Sequence, residues 1–162
     1  MYPGVHAATH PDRPAVMMTG SGAVVTYAQL EDRSLRLANW FRQAGFRRGD
    51  VVALLSDNDV RVFDVYWATQ RAGLYLTSLN YRLRTDEIEY ILQNSGARAI
   101  VVGRGGAEVA ATVGAIPTLE HRIAFEAGVS GYGLMTVSSP LRRPMRMPRP
   151  PNEPRVFSFI SV

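Results

Sequence analysis

The stretch Val51-Val-Ala-Leu-Leu55, which follows the polar Asp50, is an unbroken apolar run of strand length. Such a run is typical of a strand that is buried on both faces of a sheet. Similar runs start at intervals of about 24 residues, at 74–79, 99–102 and 122–125. Segments with apolar residues at helical spacing separate them, and this alternation is that of strand–helix units. The sequence therefore predicts an α/β fold, with a largely parallel sheet flanked by helices.

Polar residues mark the predicted helix starts. Thr26 followed by Gln29 matches a capping box, in which the two side chains satisfy each other's backbone N–H groups. Asp57 or Asp59 is placed to cap the next helix, and Thr85 is predicted to cap the one after it. Each of these helices is expected to end at a glycine, because only glycine adopts the left-handed conformation there without strain.

Composition excludes several kinds of chemistry. The 162 residues suit one domain, and cysteine is absent, which rules out disulfides, thiolate-bound zinc and thiol nucleophiles. All 18 basic residues are arginine, so the chain offers no lysine for a phosphate loop or a Schiff base. We find neither a signal peptide nor an apolar run long enough to cross a membrane. We expect a cytoplasmic protein without a transmembrane segment.

Basic charge is confined to the end of the chain. Up to Leu141 there are 13 arginines and 13 acidic residues, whereas residues 142–162 hold five arginines and one glutamate. Six of the ten prolines lie between residues 140 and 154. We predict an α/β subdomain over residues 1–127 and a disordered Arg/Pro-rich tail over residues 128–162. The tail could bind nucleic acid electrostatically, but base stacking has little support and we do not expect such a partner.

Two motifs have a functional interpretation beside an ordinary one. Gly103-Arg-Gly-Gly106 lies where a phosphate loop would lie, after a strand and before a helix. Position 108 is Glu instead of the third glycine of GxGxxG, and we interpret the motif as an ordinary loop. His6 and His10 are four residues apart, as metal ligands on a helix would be. Prolines flank them and no third ligand is near, so we interpret them as part of a disordered terminus.

Two further groups of residues could have a functional role. Asp57, Asp59 and Asp64 cluster after a strand, where magnesium could bind, but helix capping and a solvated face explain them as well. The aromatic residues Trp40, Phe41 and Trp67 lie at helical spacing and are interpreted as core packing. We assign no catalytic residue and no metal ligand.

Short motifs, taken in order, resemble the opening of the adenylate-forming, AMP-binding superfamily, and in particular the acyl-CoA synthetases (fatty-acyl-CoA ligases). The resemblance covers residues 10–127. The motifs are His10-Pro-Asp-Arg-Pro-Ala-Val16, Thr26-Tyr-Ala-Gln-Leu30, Leu37-Ala38, Gly49-Asp-Val-Val-Ala-Leu-Leu55, Asn58, Ala72-Gly73, Leu79-Asn-Tyr-Arg-Leu83, Glu87-Ile88 and Ser95-Gly-Ala-Arg98.

The resemblance implies an enzyme that joins a fatty or other carboxylic acid to ATP with magnesium and then passes the acyl group to coenzyme A. Arg82 matches an arginine that meets a phosphate of coenzyme A in some of these ligases. It is the one site residue we carry over.

Several parts of the family pattern have no counterpart in these residues: the Ser/Thr/Gly-rich phosphate loop, the later Tyr-Gly-x-Thr-Glu stretch, the ribose-binding aspartate and the catalytic lysine. We expect a truncated N-terminal fragment without ligase activity of its own. The alternative is a binding module that associates with a full-length synthetase or a separately encoded partner. From about residue 130 the tail is either the product of a shifted reading frame or a low-complexity linker.

Overall fold

The computed structural model describes residues 2–135, which form five α-helices, a short 3-10 helix (Arg104–Gly106) and seven strands. The helices are α1 (Pro3–Thr9), α2 (Tyr27–Gln43), α3 (Arg61–Ala72), α4 (Thr85–Ser95) and α5 (Ala107–Ala110). The strands are β1 (Pro14–Met17), β2 (Val24–Thr26), β3 (Val51–Leu55), β4 (Tyr75–Leu79), β5 (Ala97–Val102), β6 (His121–Ala124) and β7 (Gly133–Leu134). The predicted tail beyond residue 135 lies outside the described residues.

A five-stranded sheet in the order β4-β3-β5-β6-β7 forms the centre of the fold. Every neighbouring pair in it is parallel, as the strand–helix alternation predicts. A separate two-stranded antiparallel sheet joins β1 to β2 ahead of it. The α/β prediction is confirmed.

Both faces of the large sheet are covered around β3, which explains why this inner strand is apolar throughout. Val52 and Leu54 of β3 point to the face that α2 and α3 cover, where Phe41 and Val65 are fully buried. The alternate residues of β3 point to the opposite face, which α4 and α5 cover with residues such as Ile88. A strand with a core on each side has no position for a polar side chain.

The ends of the helices follow the local sequence signals. At the start of α2 the Gln29 N–H donates to Thr26 Oγ1 over 3.3 Å, and the Thr26 N–H donates to Gln29 Oε1 over 3.0 Å. The predicted capping box is therefore present. Gly73 and Gly96, with φ of 71° and 64°, end α3 and α4 in the left-handed conformation.

Several sequence predictions differ from the structure. Thr85 is the first residue of α4 and not its cap, because Glu87 Oε2 reaches back to accept the Arg84 N–H at 2.8 Å. The terminus around His6 is helical and not disordered, since Pro3 is buried and the His6 ring packs on Tyr27 with centroids 4.7 Å apart. Gly133 and Leu134, which fall within the predicted disordered tail, form β7 and pair with β6.

Candidate functional site

The loops that follow the parallel strands meet at one edge of the sheet, which we call the carboxyl edge. After β3 the chain places β4 on one side of that strand, and it then places β5 on the other side. Such a reversal opens a crevice between the two central strands, and ligands of open α/β sheets bind there. In this fold the crevice lies between the ends of β3 and β5.

The Gly103–Gly106 loop fills that crevice. A Cβ atom on Gly103 would lie 2.8 Å from Cβ of Ser56, and one on Gly106 would lie 2.7 Å from the carbonyl oxygen of Leu55. The Gly103 N–H donates to that same carbonyl over 2.9 Å. The glycines permit close packing of the loop on the end of β3, which gives them a structural reason that needs no ligand.

Arg61, at the start of α3, organises the charges of the carboxyl edge. Its guanidinium donates to Asp59 through Nε at 2.8 Å and Nη2 at 2.5 Å, and to the carbonyl oxygen of Phe125 at 2.8 Å. These hydrogen bonds hold the pKa of the Asp59 carboxyl below its usual value. Arg104 and Arg61 likewise lower the pKa of Glu126. Each of these carboxylates therefore remains ionised and paired, and Asp59 also accepts the Arg61 N–H at the helix start.

The three candidate magnesium ligands do not converge. Asp59 is engaged by Arg61, whereas Asp64 is fully buried and faces Arg33 of α2. The interpretation of a solvated face is therefore wrong for Asp64, because its helix turns it inward with Val65, Ala68 and Thr69. Within residues 2–135 no group of three His, Cys, Asp or Glu side chains is arranged to hold a metal ion, His6 and His10 included.

Arg82 lies in the loop between β4 and α4, at the carboxyl edge. Asn80 Oδ1 accepts its backbone N–H at 3.0 Å, and its guanidinium carbon lies 5.6 Å from the centre of the Tyr81 ring. The side chain is exposed and makes no salt bridge with a described residue. Arginine binds phosphate through several N–H donors at once, and this guanidinium is available to do so.

An apolar cavity of about 400 Å³ opens beside the edge strand β4. Phe63, Tyr66 and Trp67 of α3 line it, and Ser78 adds a hydroxyl group to the lining. Phe63 and Tyr66 remain 41% and 42% exposed. Trp67 is half-buried and Phe41 is fully buried, so the interpretation of the aromatic residues as packing is confirmed for both. Trp40 is half-buried too and packs on Phe41.

The sequence interpretation missed the buried pair of Arg33 and Asp64. Asp64 Oδ2 lies 3.4 Å from Arg33 Nε, yet both carboxylate oxygens, Arg33 Nε and Arg33 Nη2 are buried without a hydrogen bond. Burial raises the pKa of Asp64 to about 7, against the opposing effect of Arg33. The sequence could have indicated the burial of Asp64, which precedes the buried Ala68 by four residues and so shares its helix face, but not its pairing with Arg33.

Comparisons with known proteins agree on one family. The family described as AMP-binding enzyme matches residues 5–154. Long-chain fatty acid transport protein 1 of Bos taurus is 39% identical over 64% of this chain and 16% of its own length. Feruloyl-CoA synthase of an Amycolatopsis species is 37% identical over 62% of this chain and 21% of its own length. The chain thus spans about a fifth or less of these relatives.

A solved structure extends the agreement to the fold. A chain from Rhodopseudomonas palustris, described as a long-chain-fatty-acid CoA ligase, superposes with a TM-score of 0.74 and is 28% identical. The superposition covers 82% of this chain and 33% of that one. Within residues 2–135 no helix is both long and apolar enough to cross a membrane. With a family match over most of its residues and the same fold, the chain belongs to the AMP-binding enzyme family.

Proposed function

We propose that this chain supplies the N-terminal α/β part of an acyl-CoA synthetase, which activates a fatty or other carboxylic acid with ATP and transfers the acyl group to coenzyme A. The observation that carries the proposal is the superposition of the five-stranded parallel sheet and its helices on a fatty-acid CoA ligase chain. Relatives described as feruloyl-CoA synthase and as 3-oxocholest-4-en-26-oate–CoA ligase support the same class of reaction.

Arg82 is the proposed contact with a phosphate of coenzyme A. Its exposed guanidinium fits a phosphate because no carboxylate of the described residues neutralises it. Its loop is held by the Asn80 side chain, which limits the conformational entropy lost on binding. Arg84, two residues on, is a poor candidate because it already pairs with Asp86.

The chain alone is proposed to form no acyl adenylate. It contains no lysine that could serve as the family's catalytic lysine. The described residues also offer no group of three acidic or histidine side chains for the magnesium of ATP. Charge that develops on a transferring phosphoryl group needs several such groups in one pocket. ATP and magnesium would then be held by residues other than those the structure describes.

Two half-reactions test these proposals separately. The purified chain, given ATP and a series of carboxylic acids, should catalyse no exchange of pyrophosphate above background, and exchange would contradict the proposed inactivity. A chimera that carries residues 10–127 in place of the matching segment of a fatty-acyl-CoA synthetase should form acyl-CoA. A folded chimera that fails in both half-reactions would contradict the proposed origin of the chain.

The same chimera tests Arg82. We expect Arg82→Gln to raise the KM for coenzyme A about tenfold, the effect of losing one charge-assisted contact, and to leave pyrophosphate exchange unchanged. Arg84→Gln is the matched control and should change neither value. An unchanged KM in Arg82→Gln would show that this arginine does not bind the cofactor.

The alternative function is a binding module for a synthetase chain encoded separately. The exposed Phe63 and Tyr66 beside the apolar cavity favour it, since paired exposed aromatic side chains are typical of interfaces. Sedimentation of the purified chain with a synthetase that lacks its own N-terminal part should then reveal a complex. Phe63→Ser with Tyr66→Ser should abolish that complex, and sedimentation of the two chains apart would contradict the alternative.

A further inference from the structure

The interface between α2 and α3 contains two ion pairs of different quality. Arg71 of α3 donates to the Glu31 carboxylate and to Ser34 Oγ, so this pair is hydrogen-bonded. Arg33 and Asp64 approach to 3.4 Å without a hydrogen bond. An ionised carboxylate that is buried without hydrogen bonds pays a desolvation penalty that its ion pair does not fully offset. The second pair is therefore the weak point of the interface.

Few other charges act on Asp64. From α2 it faces Arg33, from its own helix Arg61, and from the preceding loop Asp59, whose negative charge opposes its ionisation. Arg61 is itself neutralised by Asp59 and by Glu126, which lies in the loop after β6. β3 and β4, the strands beneath α3, contribute no acidic or basic residue. Arg33, whose side chain is 29% exposed, is therefore the main partner of an ionised Asp64 and can turn towards water when Asp64 is neutral.

We propose that Asp64 and Arg33 form a proton-controlled latch between α2 and α3. With a proton on Asp64 the interior holds a neutral acid and α3 stays packed on α2. Loss of that proton places a charged, unsatisfied carboxylate in the interface, and α3 opens more often so that water can reach it. Because Phe63, Tyr66 and Trp67 lie on α3, the apolar cavity beside β4 opens with the helix.

Hydrogen exchange of the full chain tests the latch. The measured exchange rate of each α3 amide, divided by its intrinsic exchange rate, gives the opening constant of the helix. This constant should rise about tenfold per pH unit between pH 5 and 7 and should then level off, because one proton is held by the closed state only. In Asp64→Asn the constant should be independent of pH. Asp32→Asn is the matched control, because Asp32 is an exposed residue of α2 paired with Arg36, and it should keep the wild-type rise.

A second readout does not depend on any variant. The carboxyl carbon resonance of Asp64 in the wild-type chain should titrate with a midpoint well above that of a free aspartate, about 3.9. A midpoint at or below that value would overturn the proposal. So would a pH-independent opening constant in the wild type, or a rise that persists in Asp64→Asn.

Discussion

Arg98 at the start of β5 joins Asp50, which precedes β3, to Glu120, which precedes β6. Its guanidinium pairs with the Asp50 carboxylate and lies 2.6 Å from Glu120 Oε2. It also stacks 4.7 Å from the centre of the Phe46 ring. Three adjacent parallel strands are thus connected through one side chain at the amino edge of the sheet. Both the Gly49-Asp50 and the Ser95–Arg98 motifs belong to the resemblance on which the family was recognised, and this contact gives them a structural reason.

Arg98→Met should lower the free energy of unfolding by about 1 kcal/mol, the upper end for partly exposed ion pairs, because it keeps the stacked stem and removes the charge. Urea unfolding at pH 7 measures the change. Arg104→Met is the matched control, since Arg104 is 76% exposed and pairs with Glu126 alone. Equal effects of the two substitutions would contradict the special role of Arg98.

Asp50 makes the fold sensitive to acid. The backbone N–H of Arg47, at 2.7 Å, and the Arg98 guanidinium hold the pKa of this carboxyl below its usual value. A carboxyl with a lowered pKa in the folded state stabilises that state above its unfolded pKa of about 3.9, and this stabilisation is lost as the pH falls through the folded value. Between pH 6 and pH 3 the wild type should therefore lose more stability than Asp50→Asn, as measured by the urea midpoint. Equal losses would show that Asp50 is not responsible.

Gly106→Ala should be among the most destabilising single-methyl changes at the carboxyl edge. The added Cβ would lie 2.6 Å from Cγ of Leu55 and 2.7 Å from its carbonyl oxygen, and a backbone neighbour cannot move aside cheaply. We expect a loss of roughly 2 kcal/mol, typical of overpacking. Gly20→Ala is the control, because nothing lies within 4 Å of its added Cβ, and its thermal midpoint should stay near the wild-type value. A normal midpoint for Gly106→Ala would mean that the loop is not tightly packed on β3.

The predicted elements that proved right were those with a local physical cause. The apolar run Val51–Leu55 predicts a buried strand, and Thr26 with Gln29 predicts a helix start. Both predictions succeeded because each depends only on residues that are close in sequence. The order of the strands in the sheet could not be predicted from local signals, because it depends on contacts between distant residues. The same holds for β7, which is only two residues long and depends on pairing with β6.

The residues of the candidate site likewise differ in how far the sequence could predict them. Arg82 was recognisable from the resemblance alone, because an exposed arginine in a loop has no pattern of its own. Arg33 and Asp64 were missed because each looks like an ordinary charged residue of an amphipathic helix, and only the packing of α2 on α3 brings them together. The Gly103–Gly106 loop was interpreted as ordinary because the third glycine is missing, and the contact with β3 gives a structural reason for its glycines.

The capping box of α2 offers a test in which the two partners can be separated. Thr26→Ala leaves the Gln29 N–H without its acceptor and should cost about 1 kcal/mol of unfolding free energy. Gln29→Ala removes the acceptor of the Thr26 N–H and should cost less, because that N–H is exposed and water can replace the amide. In a capping box each side chain fixes the backbone that the other one needs. The double variant should therefore lose less than the sum of the two single losses in a urea unfolding cycle. Strict additivity would mean that the two hydrogen bonds form independently and that α2 does not depend on their reciprocity.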